Sequence, residues 1–161
     1  MVKFFLLMLS IFIGSHANAD TKITKDAIYR MNDELNQASK NRDISAIDKY
    51  MGTETLFLTD SSSRDTSTSN ALNFDKYREM SLDVYSTLES YDAIDKYLKL
   101  EINPKTNVAD VEMKSIVIMT SAGIRAESTS ITYAKVGVIA GKIKILSIKE
   151  VVISSNAERL K

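Results

Sequence analysis

Apolar residues recur at Ile28, Met31, Leu35 and Ala38, in steps of three, four and three. That spacing lays them on one stripe and predicts a helix over residues 24–40. Thr24 is placed to cap it, and Asp26 suits the positive end of the helix dipole. Asn41, Arg42 and Asp43 break the stripe. Asp43 then opens a second, shorter helix carrying Ile44, Ile47, Tyr50 and Met51 on one side, with Gly52 as its stop. Residues 55–59 read as a short strand. The stretch SSSRDTSTSNALN, residues 61–73, is mostly Ser, Thr, Asn and Asp. Such side chains compete for backbone hydrogen bonds, so a long loop is expected there, and with it a candidate lid. Asn73 caps a third predicted helix from Phe74 to about Ser90. Its inner line is Tyr77, Ser81, Val84 and Leu88, with Met80 and Tyr85 beside it.

From residue 96 the period changes to two. Leu98, Leu100 and Ile102 alternate with Lys99 and Glu101, which predicts a strand over 96–103. A second strand, 108–119, puts Val111, Met113, Val117 and Met119 on one face and Asp110, Glu112 and Lys114 on the other. Those three charges read as one balanced set. Ser121-Ala122-Gly123 reads as a hairpin turn into a strand over 124–139. One face of that strand is small: Ala126, Ser128, Ser130, Thr132 and Ala134. The opposite face, with Thr129, Ile131 and Tyr133, is a candidate surface for a second copy or a partner. After Ala140-Gly141 a last strand covers 142–153, and a polar tail follows. The order is α-α-β-α-β-β-β-β. Helices followed by a mostly antiparallel sheet define an α+β class with helices on one sheet face.

The first segment stands apart. Lys3 precedes an apolar run from Phe4 to Ile13, and Ala17-Asn18-Ala19 closes it. A basic start, a short apolar run and an A-x-A ending are the parts of a secretory signal peptide. Cleavage is expected after Ala19. The expected organisation is thus a signal peptide over 1–19, one domain over 20–155 and a polar tail over 156–161, in a periplasmic or secreted protein with no integral membrane segment after cleavage.

Composition narrows the chemistry. The chain has 21 basic and 21 acidic residues, so nothing marks it for nucleic acid. It has no cysteine and no tryptophan, and its one histidine, His16, leaves with the signal. Thiol and Ser–His–Asp mechanisms are therefore excluded from the mature chain, and His or Cys metal ligands with them. No metal and no cofactor is expected. Asp92 and Asp95 read as a solvated pair at a helix–strand junction. What remains is carboxylates and seven tyrosines.

Two stretches carry a resemblance. SKNRDISAIDKYMGTETLFLTD, residues 39–60, resembles the start of the nuclear transport factor 2-like (SnoaL-like) superfamily, where a long helix, a turn with Asp, a second helix and the first strand follow one another. IAGKIKILSIKE, residues 139–150, resembles that superfamily's closing hairpin. The resemblance implies an NTF2-like cone, a strongly curved sheet wrapped around helices, often with a pocket and often dimeric through the sheet. It implies three functional readings. One is a steroid-isomerase-like proton-transfer enzyme with Asp60 as the catalytic base; there the phenol position of the first helix holds Leu35 instead. Another is a periplasmic assembly module resembling the VirB8-like proteins. The third, which the residues favour, is an exported domain, not an enzyme, that binds a small amphipathic molecule or a protein partner. Tyr29, Tyr50, Tyr77, Met80, Tyr85, Met113 and Met119 are the candidate ligand-binding residues.

Overall fold

The structure, a computed structural model, describes residues 22–63 and 66–160, without the side chains of 59–70. The expected signal peptide lies outside the described residues. Among those described, no helix is long and apolar enough to cross a membrane.

Helix α1 spans Lys25–Asn41, and the Thr24 hydroxyl accepts from the Ala27 amide at 3.1 Å. Its predicted stripe is the one that packs inward, with Ile28, Met31 and Ala38 buried. Arg42 ends it in the left-handed region at φ 58°. Helix α2, Ser45–Tyr50, begins where the Asp43 carboxylate accepts from both the amide and the hydroxyl of Ser45. Helix α3 spans Phe74–Thr87, capped by the Asn73 side chain on the Lys76 amide at 2.9 Å. Its inner line is Tyr77, Ser81, Tyr85 and Leu88; Val84, expected inside, is exposed. Tyr85 wins that place because a step of four from Ser81 keeps the line facing the sheet.

Among the described residues six strands form one sheet in the order β2-β1-β6-β5-β4-β3. They are β1 Leu56–Ser63, β2 Thr66–Leu72, β3 Leu88–Asn103, β4 Val108–Ser121, β5 Ile124–Ile139 and β6 Lys142–Arg159. All neighbours are antiparallel except β1 and β6. Three helices against one curved, mostly antiparallel sheet make the expected α+β architecture.

Three expectations are corrected. Of the stretch expected as a loop, residues 61–63 complete β1 and 66–72 form β2, paired from Phe57 with Leu72 to Ser63 with Thr66. Pairing gives its backbone groups ladder partners, and the β-branched Thr66 and Thr68 suit a strand. Strand β3 begins at Leu88 rather than 96, because Leu88 to Ile94 find partners along β4 from Ser121 to Ile116. The polar end of the chain is also strand: β6 runs to Arg159, which pairs with Ile124. In both latter cases long-range pairing overrides weak local patterning.

The two hairpins after β4 and β5 turn on Ala122-Gly123 and Ala140-Gly141, all four residues with positive φ. This is the turn that matches the twist of paired strands. The registers stack inward side chains into rows across β3, β4, β5 and β6. One row is Ile102, Ala109, Val136 and Ile145; the next is Leu100, Val111, Ala134 and Ile148. With Ile28, Met31, Ile47 and Phe57 these rows form the core. On the outer face Asp110 pairs with Lys135 at 2.6 Å, across β5 rather than with Lys114 along its own strand. Cross-strand neighbours are nearer than second neighbours along a strand.

Candidate functional site

The core is not filled. Between α1 and the inner face of β3–β6 lies a cavity of about 100 Å³. Ile28, Met31 and Leu35 wall it from α1, Met113 from β4, Ala134 from β5, and Ile145 and Ile148 from β6. Three side chains bring polar atoms to this wall: Asn32, Tyr97 and Thr132. The chamber is thus apolar with a few directional groups, the usual make-up of a small-molecule site.

Tyr97 is the unusual member. Its hydroxyl is buried and has no hydrogen-bond partner among the described residues. An unpaired buried hydroxyl is costly, so such groups are normally satisfied. Burial, and then the nearby Asp95 and Asp33 carboxylates, push the phenol up to about 12. It therefore stays protonated near neutral pH and can donate. The ring is held by an edge-on contact with Tyr29, centroids 4.7 Å apart.

Asp95 stands two residues before Tyr97 on the same face of β3. Its Oδ2 accepts from the side-chain amides of Asn32 at 2.8 Å and Asn36 at 2.7 Å, one helical turn apart on α1. The expected solvated pair is therefore split. Asp95 turns inward to α1, while Asp92 faces out and bridges to Lys40 at 2.8 Å. Strand alternation would leave 92 and 95 on opposite faces, and β3 starts early enough to include both.

A gallery of phenols continues from Asp95 to α3. The Ser39 hydroxyl lies 3.0 Å from that of Tyr85. Tyr77 stacks on Phe57, centroids 4.1 Å apart. Burial first, with carboxylates adding to it, pushes Tyr77 and Tyr91 up to about 12: Asp95 acts on Tyr91 and Glu150 on Tyr77.

Of the seven predicted ligand residues, Met113 alone lines the cavity. Tyr29 supports Tyr97 from a half-open position. Tyr77 and Tyr85 belong to the gallery. Met119 lies on the inner face opposite Tyr91, further along the sheet. Tyr50 is buried elsewhere, donating to Glu34 at 2.7 Å, and Met80 is exposed on α3. The backbone of Asp60 pairs with Ser69 and Val151, but its side chain lies outside the described residues. Leu35, at the position where the resemblance asks for a phenol, does face the cavity. The phenol in the chamber comes from β3 instead. Among the described residues no group of three or more carboxylates or other ligands could hold a metal ion.

No protein-family model matches the chain, and no curated protein matches it either. Solved structures do. A provisionally named scytalone dehydratase from Novosphingobium aromaticivorans superposes with a TM-score of 0.67 at 10% identity, over 84% of this chain and 88% of its own. An NTF2-like protein from Cytophaga hutchinsonii gives 0.60 at 14% identity, over 81% and 100%. A ketosteroid isomerase-like protein from Erwinia carotovora atroseptica gives 0.59 at 16%, over 80% and 95%. The chain has the NTF2-like (SnoaL-like) fold. At these identities the likeness reaches the fold and stops there, and function must come from the site.

Proposed function

We propose that this chain binds a small amphipathic molecule inside its cone, with the apolar part against Met31, Met113 and Ile145 and a polar group on the Tyr97 hydroxyl. The observation that carries this reading is the buried hydroxyl without a partner on the wall of an apolar cavity. A ligand acceptor would satisfy it, and displaced wall-to-wall voids would be filled. The volume sets the scale: an engineered cavity of about 150 Å³ in another protein takes up benzene, so a chamber of about 100 Å³ takes no more than one ring.

The proton-transfer alternative built on Asp60 has less behind it. Leu35 removes the helix phenol that reading needs, and a one-ring chamber is far too small for a steroid nucleus. The neighbouring structures named for dehydratase and isomerase-like proteins lend the fold, not these residues.

Benzyl alcohol, one ring with one hydroxyl, is a suitable probe. The melting temperature of the protein is expected to rise with its concentration, as for any ligand held only by the native state. Ala134→Phe, which fills the chamber, is expected to abolish the rise while keeping the far-ultraviolet dichroism of the parent. An equal rise in parent and variant would place binding elsewhere and overturn the reading.

A further inference from the structure

Charge is segregated across the sheet. Along β3–β6 the inward positions beside the chamber carry two charged residues, Asp95 and Glu150, both acidic; the one inward cation among the described residues, Arg159, stands at the far end of β6 opposite Ile124. The other basic residues of these strands, among them Lys96, Lys99, Lys114, Lys135 and Lys149, fall on the outward register. At the C-terminal end of α1 the cations are spent outside the site, Lys40 on Asp92 and Arg42, just past the helix, on the Glu89 carbonyl. Asp95 itself is partly buried and held by neutral amides alone, both on Oδ2. Among the described residues no cation bridges it. A carboxylate taken from water is usually paired with a positive charge, and a cleft lined by one sign of charge concentrates the opposite one.

Phenols complete the arrangement. Tyr97 is next to Asp95 on the inward face of β3, and Tyr91 follows on the other side beyond Ala93. Aromatic faces attract ammonium groups, and a phenol oxygen can accept from them. The unpartnered Tyr97 hydroxyl is therefore as well placed to receive an N–H as to donate. The electrostatics of the phenols agree: the charged groups that shift Tyr77, Tyr91 and Tyr97 are carboxylates and other phenols, and no basic side chain is among them.

We infer that the ligand class of the cone is a small organic cation, an amine of about one ring, with its apolar body in the chamber and its ammonium between Asp95 and the Tyr97 hydroxyl. This rests on the reading that the cone is a binding chamber, and narrows it.

The experiment compares two probes of equal size and shape at neutral pH, benzylamine as its ammonium ion and benzyl alcohol, by isothermal titration of the full chain. The amine is expected to bind about tenfold more tightly, the scale of one hydrogen bond to a charged group. The preference is expected to shrink in high salt. In Asp95→Asn, which keeps the side-chain shape, the two probes are expected to bind alike. Should that variant not fold, the selectivity of the parent and its salt dependence still decide. Equal or tighter binding of the alcohol overturns the cationic class and leaves the chamber reading standing. Amine selectivity that survives in Asp95→Asn overturns the assignment to Asp95. Failure of both probes to bind overturns the chamber reading as well.

Discussion

Tyr97 carries a hydroxyl that the fold does not satisfy. A residue kept in that state lowers stability, so the two consequences of removing the hydroxyl should have opposite signs. Tyr97→Phe is expected to raise unfolding free energy by about 1 kcal/mol in denaturant titration, because an unpaired buried group is lost. The same variant is expected to bind a one-ring alcohol or amine more weakly. A destabilised variant would mean that the hydroxyl has a partner in the native state. Tyr97 was hidden in the sequence for a definite reason. Leu98, Leu100 and Ile102 look like one face, which puts Tyr97 among the charges on the other. The register shift between Tyr97 and Lys99 makes Leu98 the extra residue, 46% exposed, and brings Tyr97 onto the face of Leu100 and Ile102. A bulge reverses the alternation on one side of itself, and no local signal here announces it. Met113 was legible because β4 has no such shift.

At the scale of elements, caps and turns were the most legible features. Thr24, Asp43 and Asn73 bond the backbone as their side chains predict, and both Ala-Gly pairs turn hairpins. The Ser/Thr-rich segment reads as a loop because a polar strand edge and a loop have the same composition; only the partner strand distinguishes them. The two turns give a prediction of their own. Ala122 and Ala140 sit at φ 49°, a region in which a Cβ is strained and asparagine is better tolerated. Both residues are exposed, so a larger side chain meets no wall. Ala122→Asn and Ala140→Asn are each expected to add about 0.5 kcal/mol and to raise the melting temperature. A lower melting temperature would show that the turns are of another type.

For the whole molecule, the division between faces is the central feature. The outer sheet face is charged with apolar residues among the charges, Ile94 being 60% exposed and Tyr133 43%. The inner face of β3–β6 holds apolar rows, phenols, two acids and, at its far end, Arg159. Alternation alone made the two faces legible; which face the helices cover followed from the α1 stripe. What alternation could not show is that the helices fail to fill the cone, since a void has no residue of its own. The buried phenols also make stability depend on pH. Tyr77, Tyr91 and Tyr97 are pushed up to about 12 from an ordinary value of 10.0. Between those values the unfolded chain has lost the phenolic proton and the native protein has kept it, so stability falls as pH rises. Below about pH 9.5 these groups should have no effect. Above pH 10 the partly buried Tyr77 alone should remove up to about 1.4 kcal/mol per pH unit. Urea titrations across pH 8–11 check this, and a flat profile would show that the phenols reach water.

The claim on which the account rests is that the cone is a chamber open to a small molecule. Methionine methyl groups report on it directly, because Met31, Met51 and Met113 line the cavity while Met80 is exposed on α3 and Met119 lies further along the sheet. With methyl-labelled methionine, titration of benzylamine should shift the methyl resonances of Met31, Met51 and Met113 in one saturable curve and leave Met80 in place. Resonances of the three cavity methionines that do not move while that of Met80 does would contradict it.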